Sequence, residues 1–144
     1  MSQSETAVRT ILDLANRHDV GAMQDHLADD MTFINPVTGP TDKQGMELFH
    51  AGFFGAFPDT HYHIDRLISQ EDTVVVECTV TGTNRGEFAG SAPTNNKVTV
   101  PVAFSVDVLN GKVKSWRTYL DVAGLMRQLQ PAAAPTKAEA ASRA

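Results

Sequence analysis

Histidine and carboxylate side chains alternate along one short stretch of the sequence, in a pattern that metal sites can use. His61, His63 and Asp65 share one face of a predicted strand, since side chains two residues apart point the same way. A metal site needs at least three ligands and further groups that orient them, and no other Cys or His cluster completes such a set. We therefore expect no metal, and we expect these side chains to face water or a partner subunit.

A further histidine, His50, lies on a predicted helix beside Phe49 and Phe53. It is the histidine best placed to reach the mouth of a pocket. Because imidazole titrates near neutral pH, it could move a proton there. The surface of the helix is the commoner place for such a residue, and we expect His50 there. It remains a candidate catalytic residue.

Two single residues on the strands carry other candidate chemistry. Asp121 is a candidate catalytic acid, but it directly precedes segment 122–125, where a helix N-cap is expected, and we favour the cap. Cys78 is the single cysteine, which excludes an internal disulfide. It falls on the inward-facing side of its strand without a recognisable base, which a thiol needs to act as a nucleophile. We expect Cys78 to line a pocket.

Six aromatic residues are candidates for the wall of a site that binds a flat ligand. They are equally consistent with an ordinary core, and both interpretations stay open at this point. No phosphate-binding loop or dinucleotide fingerprint is present, because no glycine cluster joins a strand to a helix in that way, so we expect no cofactor. The six candidates are Phe53, Phe54, Phe57, Phe88, Phe104 and Trp116.

Hydrophobic periodicity divides the chain into helices followed by strands. Apolar residues at helical spacing predict three leading helices, the first with Ser2 and Glu5 at capping-box spacing and the second following Asp19. The third helix begins after residue 41 or 42 and buries a stripe at positions 46, 49, 53 and 57. Alternating residues predict strands over 31–35, 62–68, 73–84, 97–109 and 112–120, with loops at 39–40 and 85–96, and a short helix over 122–129. Asn110-Gly111 predicts a two-residue hairpin turn.

Composition limits the number of domains and the kinds of partner. The 144 residues carry a formal charge of −5, which argues against a general nucleic-acid or anionic-membrane binder, because phosphate binding needs a basic surface. No apolar stretch approaches the ~20 residues of a membrane span, and we expect a cytoplasmic protein. We predict one domain over residues 1–130 and a flexible Ala/Pro-rich tail over 131–144.

Helices first and a long meander of strands afterwards predict an α+β fold. We expect a cone in which a strongly curved antiparallel sheet wraps around the N-terminal helices. The apolar face of such a sheet can be covered only by those helices. The space between them is where an apolar pocket for a small hydrophobic molecule is expected.

Three passages of the sequence resemble those of a known family. They are LADDMTFINPVTG at 27–39, GEFAGSAPTNNKVTV at 86–100 and NGKVKSWRTYLDVAGLMRQL at 110–129. The chain resembles the SnoaL-like polyketide cyclases, within the superfamily of nuclear transport factor two that also contains ketosteroid isomerase and limonene-epoxide hydrolase. The resemblance implies the cone fold, cyclase- or isomerase-type chemistry on a polyketide, terpenoid or steroid, and a homodimer formed through the outer face of the sheet.

The residues that carry catalysis in these relatives differ in this sequence. Thr118 stands where the resemblance places the catalytic Asp of the cyclases and the hydrolases, and Asn35 stands where it places the Asp base of the isomerase. Neither an amide nor a threonine hydroxyl accepts a proton near neutral pH, but both can hold a ligand by hydrogen bonds. The two other hydrolase positions fall on Cys78 and Val80, and pocket positions that are polar in the cyclases fall on Val102 and Phe104.

Three functions therefore remain open. The first is a cyclase- or isomerase-like enzyme with a nonstandard acid or base, the second is an epoxide hydrolase, and the third is a non-catalytic ligand-binding protein. In each of them, Asn35 and Thr118 are expected to be polar anchors. We also expect the hollow to be apolar, with no titratable side chain facing into it.

Overall fold

A computed structural model describes residues 2–131 of the chain. Two helices open the fold, α1 (Gln3–Asn16) and α2 (Val20–Gln24). The hydroxyl of Ser2 accepts a hydrogen bond from the backbone N–H of Glu5, and the carboxylate of Asp19 accepts one from Ala22, so both predicted caps are confirmed. The predicted tail lies outside the described residues, except for Pro131.

Six strands form one open, curved sheet. They are β1 (Leu27–Asn35), β2 (Gly39–Thr41), β3 (His61–Gln70), β4 (Thr73–Thr83), β5 (Lys97–Leu109) and β6 (Lys112–Leu120). Their order across the sheet is β2-β1-β6-β5-β4-β3. Strands β3 to β6 form the antiparallel meander that alternation predicted, and Asn110 and Gly111 at its tightest turn both have positive φ, of 53° and 77°.

The first strand departs from the predicted pattern. β1 pairs with β6 in parallel, with Phe33 opposite Trp116, so one pairing in an otherwise antiparallel sheet is parallel. Residues 39–40, predicted as a loop, belong to β2, which pairs with the end of β1. The chain that leaves β1 turns back at once to form β2, which is one edge of the sheet, and β3 forms the other edge.

Helix α3 (Lys43–Ala56) crosses the concave face of the sheet. Asp42 is its N-cap and accepts a hydrogen bond from Gly45 N–H. The inward residues of the strands are nearly all buried and form the main core with α1 and α3. A second cluster, around Phe57, Phe88 and Leu125, closes the end of the cone with α4 (Val122–Gln128).

Candidate functional site

A hollow lies between α3 and the concave face of the sheet. Its cavity volume is about 50 Å³, which is smaller than the roughly 300–1,000 Å³ of an ordinary small-molecule site. The sheet supplies most of its wall, and one face of α3 supplies the rest. Its lining consists of Phe33, Asn35, Phe49, His50, Phe53, Tyr62, Val80, Val102, Phe104, Thr118 and Leu120.

Helix α3 contributes two adjacent rows of aromatic side chains. Phe49 and Phe53 are half-buried, with stacked rings whose centroids lie 5.7 Å apart, and both face the hollow. The row at positions 46, 50, 54 and 57 is the more deeply buried one. The predicted stripe mixed the two rows, because the i+3 and i+4 spacings fit both of them.

His50 is buried, which corrects the prediction that it lies on the helix surface. Only 8% of the residue is exposed, and its ring contacts those of Phe33, Phe49 and Phe54, with centroids 5.3 to 5.8 Å away. The backbone carbonyl of Met46 lies 2.9 Å from Nδ1. Because a carbonyl can only accept a hydrogen bond, Nδ1 carries the proton and Nε2 carries the free lone pair.

Burial also fixes the charge of His50. Removal of the ring from water disfavours the imidazolium ion and lowers the pKa of His50 from 6.5 to about 4, against the smaller opposing effect of the Met46 carbonyl. The imidazole is therefore neutral at neutral pH. Tyr62 also lines the hollow, and burial raises the pKa of its phenol far above the physiological range. The expectation of a hollow without titratable side chains is wrong, although both groups are uncharged.

Asn35 ends β1 inside the hollow and is 2% exposed. Its side-chain oxygen accepts a hydrogen bond of 2.8 Å from the backbone N–H of Val37, which holds the turn that follows the strand. This bond identifies which end of the amide is oxygen, because only oxygen can accept. The amide NH₂ group therefore remains available to donate a hydrogen bond to a ligand in the hollow.

Thr118 lies on β6 opposite Phe104 and is also buried in the lining. The hydroxyl groups of Thr118 and Tyr62 have no hydrogen-bond partner among residues 2–131. Within that part of the chain, every polar side-chain atom that is sealed from solvent has a partner. Both hydroxyls must therefore touch open space. The hollow thus combines apolar rings with four polar side chains: Asn35, His50, Tyr62 and Thr118.

A second hollow adjoins the first one. It shares Phe53, Val80, Val102 and Leu120 with the lining of the first and extends past Phe57 toward Leu125. The predicted wall residue Phe57 therefore lies in this adjoining hollow rather than in the first.

The remaining predicted wall residues lie around the hollow without lining it. Phe54 belongs to the core and stacks on His18 at 4.4 Å. Trp116 packs behind Phe104, with ring centroids 5.1 Å apart. Phe88 packs against Phe57 in the second cluster. Cys78 is buried beside a shallow groove between Asp65 and Asp121 instead, and burial raises the pKa of its thiol to about 11, so it is not a reactive thiolate.

The other candidate residues lie outside the hollow. Asp121 is the N-cap of α4 and accepts a hydrogen bond of 2.9 Å from Gly124 N–H. His61, His63 and Asp65 are exposed on β3, with Nε2 of His63 3.6 Å from the carboxylate of Asp65. Within residues 2–131, no three His, Cys, Asp or Glu side chains are arranged to hold a metal, and no helix is long and apolar enough to cross a membrane.

Sequence reasoning missed four residues of the lining: Phe33, Phe49, Tyr62 and Leu120. The buried positions 31, 33 and 35 of β1 alternate, and this signal would have placed Phe33 on the same face as Asn35. Tyr62 was assigned to the core side of β3 without being linked to a pocket. Its contact with the hollow depends on the width of the cone, which periodicity does not give.

The fold and this hollow define a class of protein, the α+β cones of the nuclear transport factor two type. The sequence profile described as SnoaL-like polyketide cyclase matches residues 5–129. The chain therefore belongs to the SnoaL-like polyketide cyclase family. No curated protein matches the sequence.

Solved structures share this fold over nearly the whole chain. AclR from Streptomyces galilaeus, a candidate hydroxylase, is 24% identical, with a TM-score of 0.81 over 90% of this chain and 96% of AclR. A candidate SnoaL-like polyketide cyclase from Jannaschia sp. CCS1 is 21% identical, with a TM-score of 0.83 over 92% and 94% of the two chains. IdmH from Streptomyces antibioticus, a candidate polyketide cyclase, is 21% identical, with a TM-score of 0.78 over 89% and 99%. At these identities the likeness concerns the fold.

Proposed function

We propose that this protein binds and acts on a bulky hydrophobic metabolite of the polyketide, terpenoid or steroid type, with cyclase- or isomerase-like chemistry. The observation that carries the proposal is the hollow itself, because its wall is mostly aromatic and aliphatic and its few polar groups converge from β1, β3, β6 and α3. Apolar walls with a few fixed polar groups are typical of small-molecule sites. The adjoining hollow has a similar volume of about 50 Å³, so a bulky ligand requires the lining side chains to move apart.

In this proposal Asn35 and Thr118 anchor the ligand, and Thr118 stands in place of the family's catalytic Asp. Both side chains are buried in the lining, where a hydrogen bond to a ligand gains about 0.5–1.5 kcal/mol. Asn35 is further held by its bond to Val37. A rigid amide and a hydroxyl can orient a carbonyl group, and reaction by shape and hydrogen bonding needs no strong acid or base at either position.

A ligand-binding protein without catalysis is the second candidate. It is favoured by one observation, that no Asp or Glu belongs to the described lining of the hollow. The same observation weighs against an epoxide hydrolase, whose carboxylate and arginine positions fall on Thr118, Cys78 and Val80 here. Turnover of a bound ligand separates the enzyme from the binding protein.

Calorimetric titration with hydrophobic ketones tests the proposal. The probes are 1-tetralone, a monoterpenoid ketone and a steroid ketone, each followed by product analysis. Leu120→Trp fills the hollow from its wall, and Leu109→Trp adds the same bulk at an exposed position of the β5–β6 hairpin. We expect the natural protein and Leu109→Trp to bind at least one probe and Leu120→Trp to lose most of the affinity. Equal binding by both variants would contradict the proposed site.

We also propose a homodimer formed through the outer face of the sheet, in the cytoplasm. Val75, Ile68 and Tyr119 are large apolar side chains exposed on that face. Val75 pairs with Ile68 across β3 and β4, whereas Tyr119 lies two strands away on β6, in the row of Ala103 and Glu77. Adjacent exposed apolar side chains such as Val75 and Ile68 favour an interface on this face. The lone buried Cys78 suits a reducing compartment.

A further inference from the structure

The polar atoms of the hollow differ in which hydrogen bonds they can make. His50 donates from Nδ1 to Met46, so its Nε2 is an acceptor without a proton. Nε2 has no hydrogen-bond partner among residues 2–131. In that part of the chain, every polar side-chain atom that is sealed from solvent does have a partner. Nε2 therefore contacts open space, and the open space beside this buried ring is the hollow.

Asn35 offers the opposite capability. Its oxygen is occupied by Val37 N–H, so the group left for a ligand is the NH₂ donor. The hydroxyls of Tyr62 and Thr118 can each donate or accept. The hollow thus has one group that can only accept a hydrogen bond, one that can only donate, and two hydroxyls that can do either.

No charged group alters this pattern. The lining contains no Asp, Glu, Lys or Arg among the described residues. The rings packed around His50 are those of Phe33, Phe49 and Phe54, and Tyr62 is the other titratable group of the lining. His18 lies beyond Phe54, with its Nε2 2.9 Å from the carbonyl of Thr60.

We propose that the ligand carries a hydroxyl group, phenolic or enolic, that donates a hydrogen bond to Nε2 of His50, and a carbonyl oxygen that accepts one from the amide of Asn35. This proposal rests on the proposed function, and it narrows the substrate class to hydroxylated carbonyl compounds. A ligand that placed an ether or carbonyl oxygen against Nε2 would leave two hydrogen-bond acceptors facing each other. Each acceptor would then lose the hydrogen bond that it makes to water, and the complex would be weaker by that free energy.

A pair of probes that differ only in donor ability tests the proposal. 2-Naphthol can donate to Nε2, whereas 2-methoxynaphthalene has the same rings and no donor. By calorimetry, we expect the natural protein to bind 2-naphthol about tenfold more tightly, which is the value of one buried hydrogen bond. His50→Phe keeps an aromatic ring and should abolish this preference. His61→Gln, at an exposed position on β3, is the matched control and should keep it.

Nitrogen NMR of protein labelled in its histidines tests the same atom without a substitution. We expect the Nε2 signal of His50 to be that of an unprotonated nitrogen, and to shift when 2-naphthol is added but not with 2-methoxynaphthalene. This measurement holds even where His50→Phe does not fold. Equal affinities for the two probes, or a proton on Nε2 at neutral pH, would overturn the proposal while leaving the pocket intact. Failure of both probes to bind would contradict the pocket itself and the proposal with it.

Discussion

Single hydrogen bonds to the backbone determine what the two most informative polar residues of the hollow can do. The bond from His50 to Met46 selects one tautomer of the imidazole, and the bond from Val37 to Asn35 selects one orientation of the amide. In both residues the atom that is left free therefore has a fixed character. Polar groups that are fixed before the ligand arrives lose little entropy on binding.

The burial of His50 predicts a pH dependence of stability. In the unfolded chain the imidazole binds a proton as the pH falls below 6.5, whereas in the folded protein it stays neutral down to a pKa of about 4. Between these values the unfolded state binds more protons, so the free energy of unfolding falls as the pH falls, and this contribution levels off below about pH 4. The full effect is roughly 3 kcal/mol.

Urea unfolding of the natural protein and of His50→Phe at several pH values from 7 to 4 measures this effect. We expect the difference in unfolding free energy between pH 7 and pH 4 to be smaller in His50→Phe, because the buried imidazole is gone. His61→Gln should follow the natural protein. The same pH dependence in His50→Phe and the natural protein would show that the imidazole of His50 is not held neutral.

Thr118→Asp tests whether a carboxylate is the only group that the hollow lacks for catalysis. The side chain lies in the lining beside Phe104, so an aspartate there would meet a ligand in an apolar environment that raises its pKa toward neutrality. We expect aldolase-like or epoxide-opening turnover to rise at least tenfold, measured with a panel of hydrophobic carbonyl and epoxide substrates. Thr118→Asn, which has the same shape without the charge, is the control.

A folded Thr118→Asp protein that turns over none of these substrates would count against the placement of Thr118 at the family's catalytic position. The residue-by-residue resemblance predicted this position, and the structure puts the side chain in the hollow. Sequence alone did not predict the burial of His50, because a histidine next to an apolar stripe fits the surface and the interior equally well. The two neighbouring rows of side chains on α3 differ in burial only after the helix has packed against the sheet.

Elements of secondary structure hold these residues in place, and local sequence signals predicted most of them. The caps at Ser2, Asp19 and Asp121 and the turn at 110–111 depend on neighbours within a few residues. The parallel pairing of β1 with β6 joins segments about eighty residues apart, and no local pattern encodes such a partner. Asn35 reaches the hollow because of that pairing.

Asp121→Ala separates a structural role of this carboxylate from a catalytic one. Its oxygen caps α4, and α4 covers the second cluster through Leu125. We expect thermal or urea unfolding to show a loss of about 1 kcal/mol, while ligand affinity and any turnover at temperatures well below the transition stay unchanged. Asp121→Asn, which retains a capping oxygen, should recover most of the stability. Loss of turnover in folded Asp121→Asn would point to a catalytic acid instead.

At the scale of the whole molecule, the two faces of the sheet differ in what they expose. The concave face holds the hollow, and the convex face exposes Val75 and Tyr119. The cone fold followed from the order of helices and strands. The width of the hollow and the residues that line it did not, because they depend on how far α3 stands from the sheet.

Tyr119→Glu tests the convex face as a dimer interface. We expect light scattering after size-exclusion chromatography to give twice the chain mass of 15.6 kDa for the natural protein and the monomer mass for Tyr119→Glu, because a charge buried in an interface without a partner is costly. Leu48→Glu replaces a more exposed leucine on α3 and should stay dimeric. A natural protein that is a monomer at all concentrations would contradict the proposed dimer.

The most direct test of the account is a crystal structure of the protein in complex with 2-naphthol. We expect the naphthalene rings between α3 and the sheet, in contact with Phe49 and Phe53, and the hydroxyl oxygen about 2.6–3.2 Å from Nε2 of His50. Naphthol bound only on the convex face, or bound in the hollow with its hydroxyl turned away from His50, would contradict it.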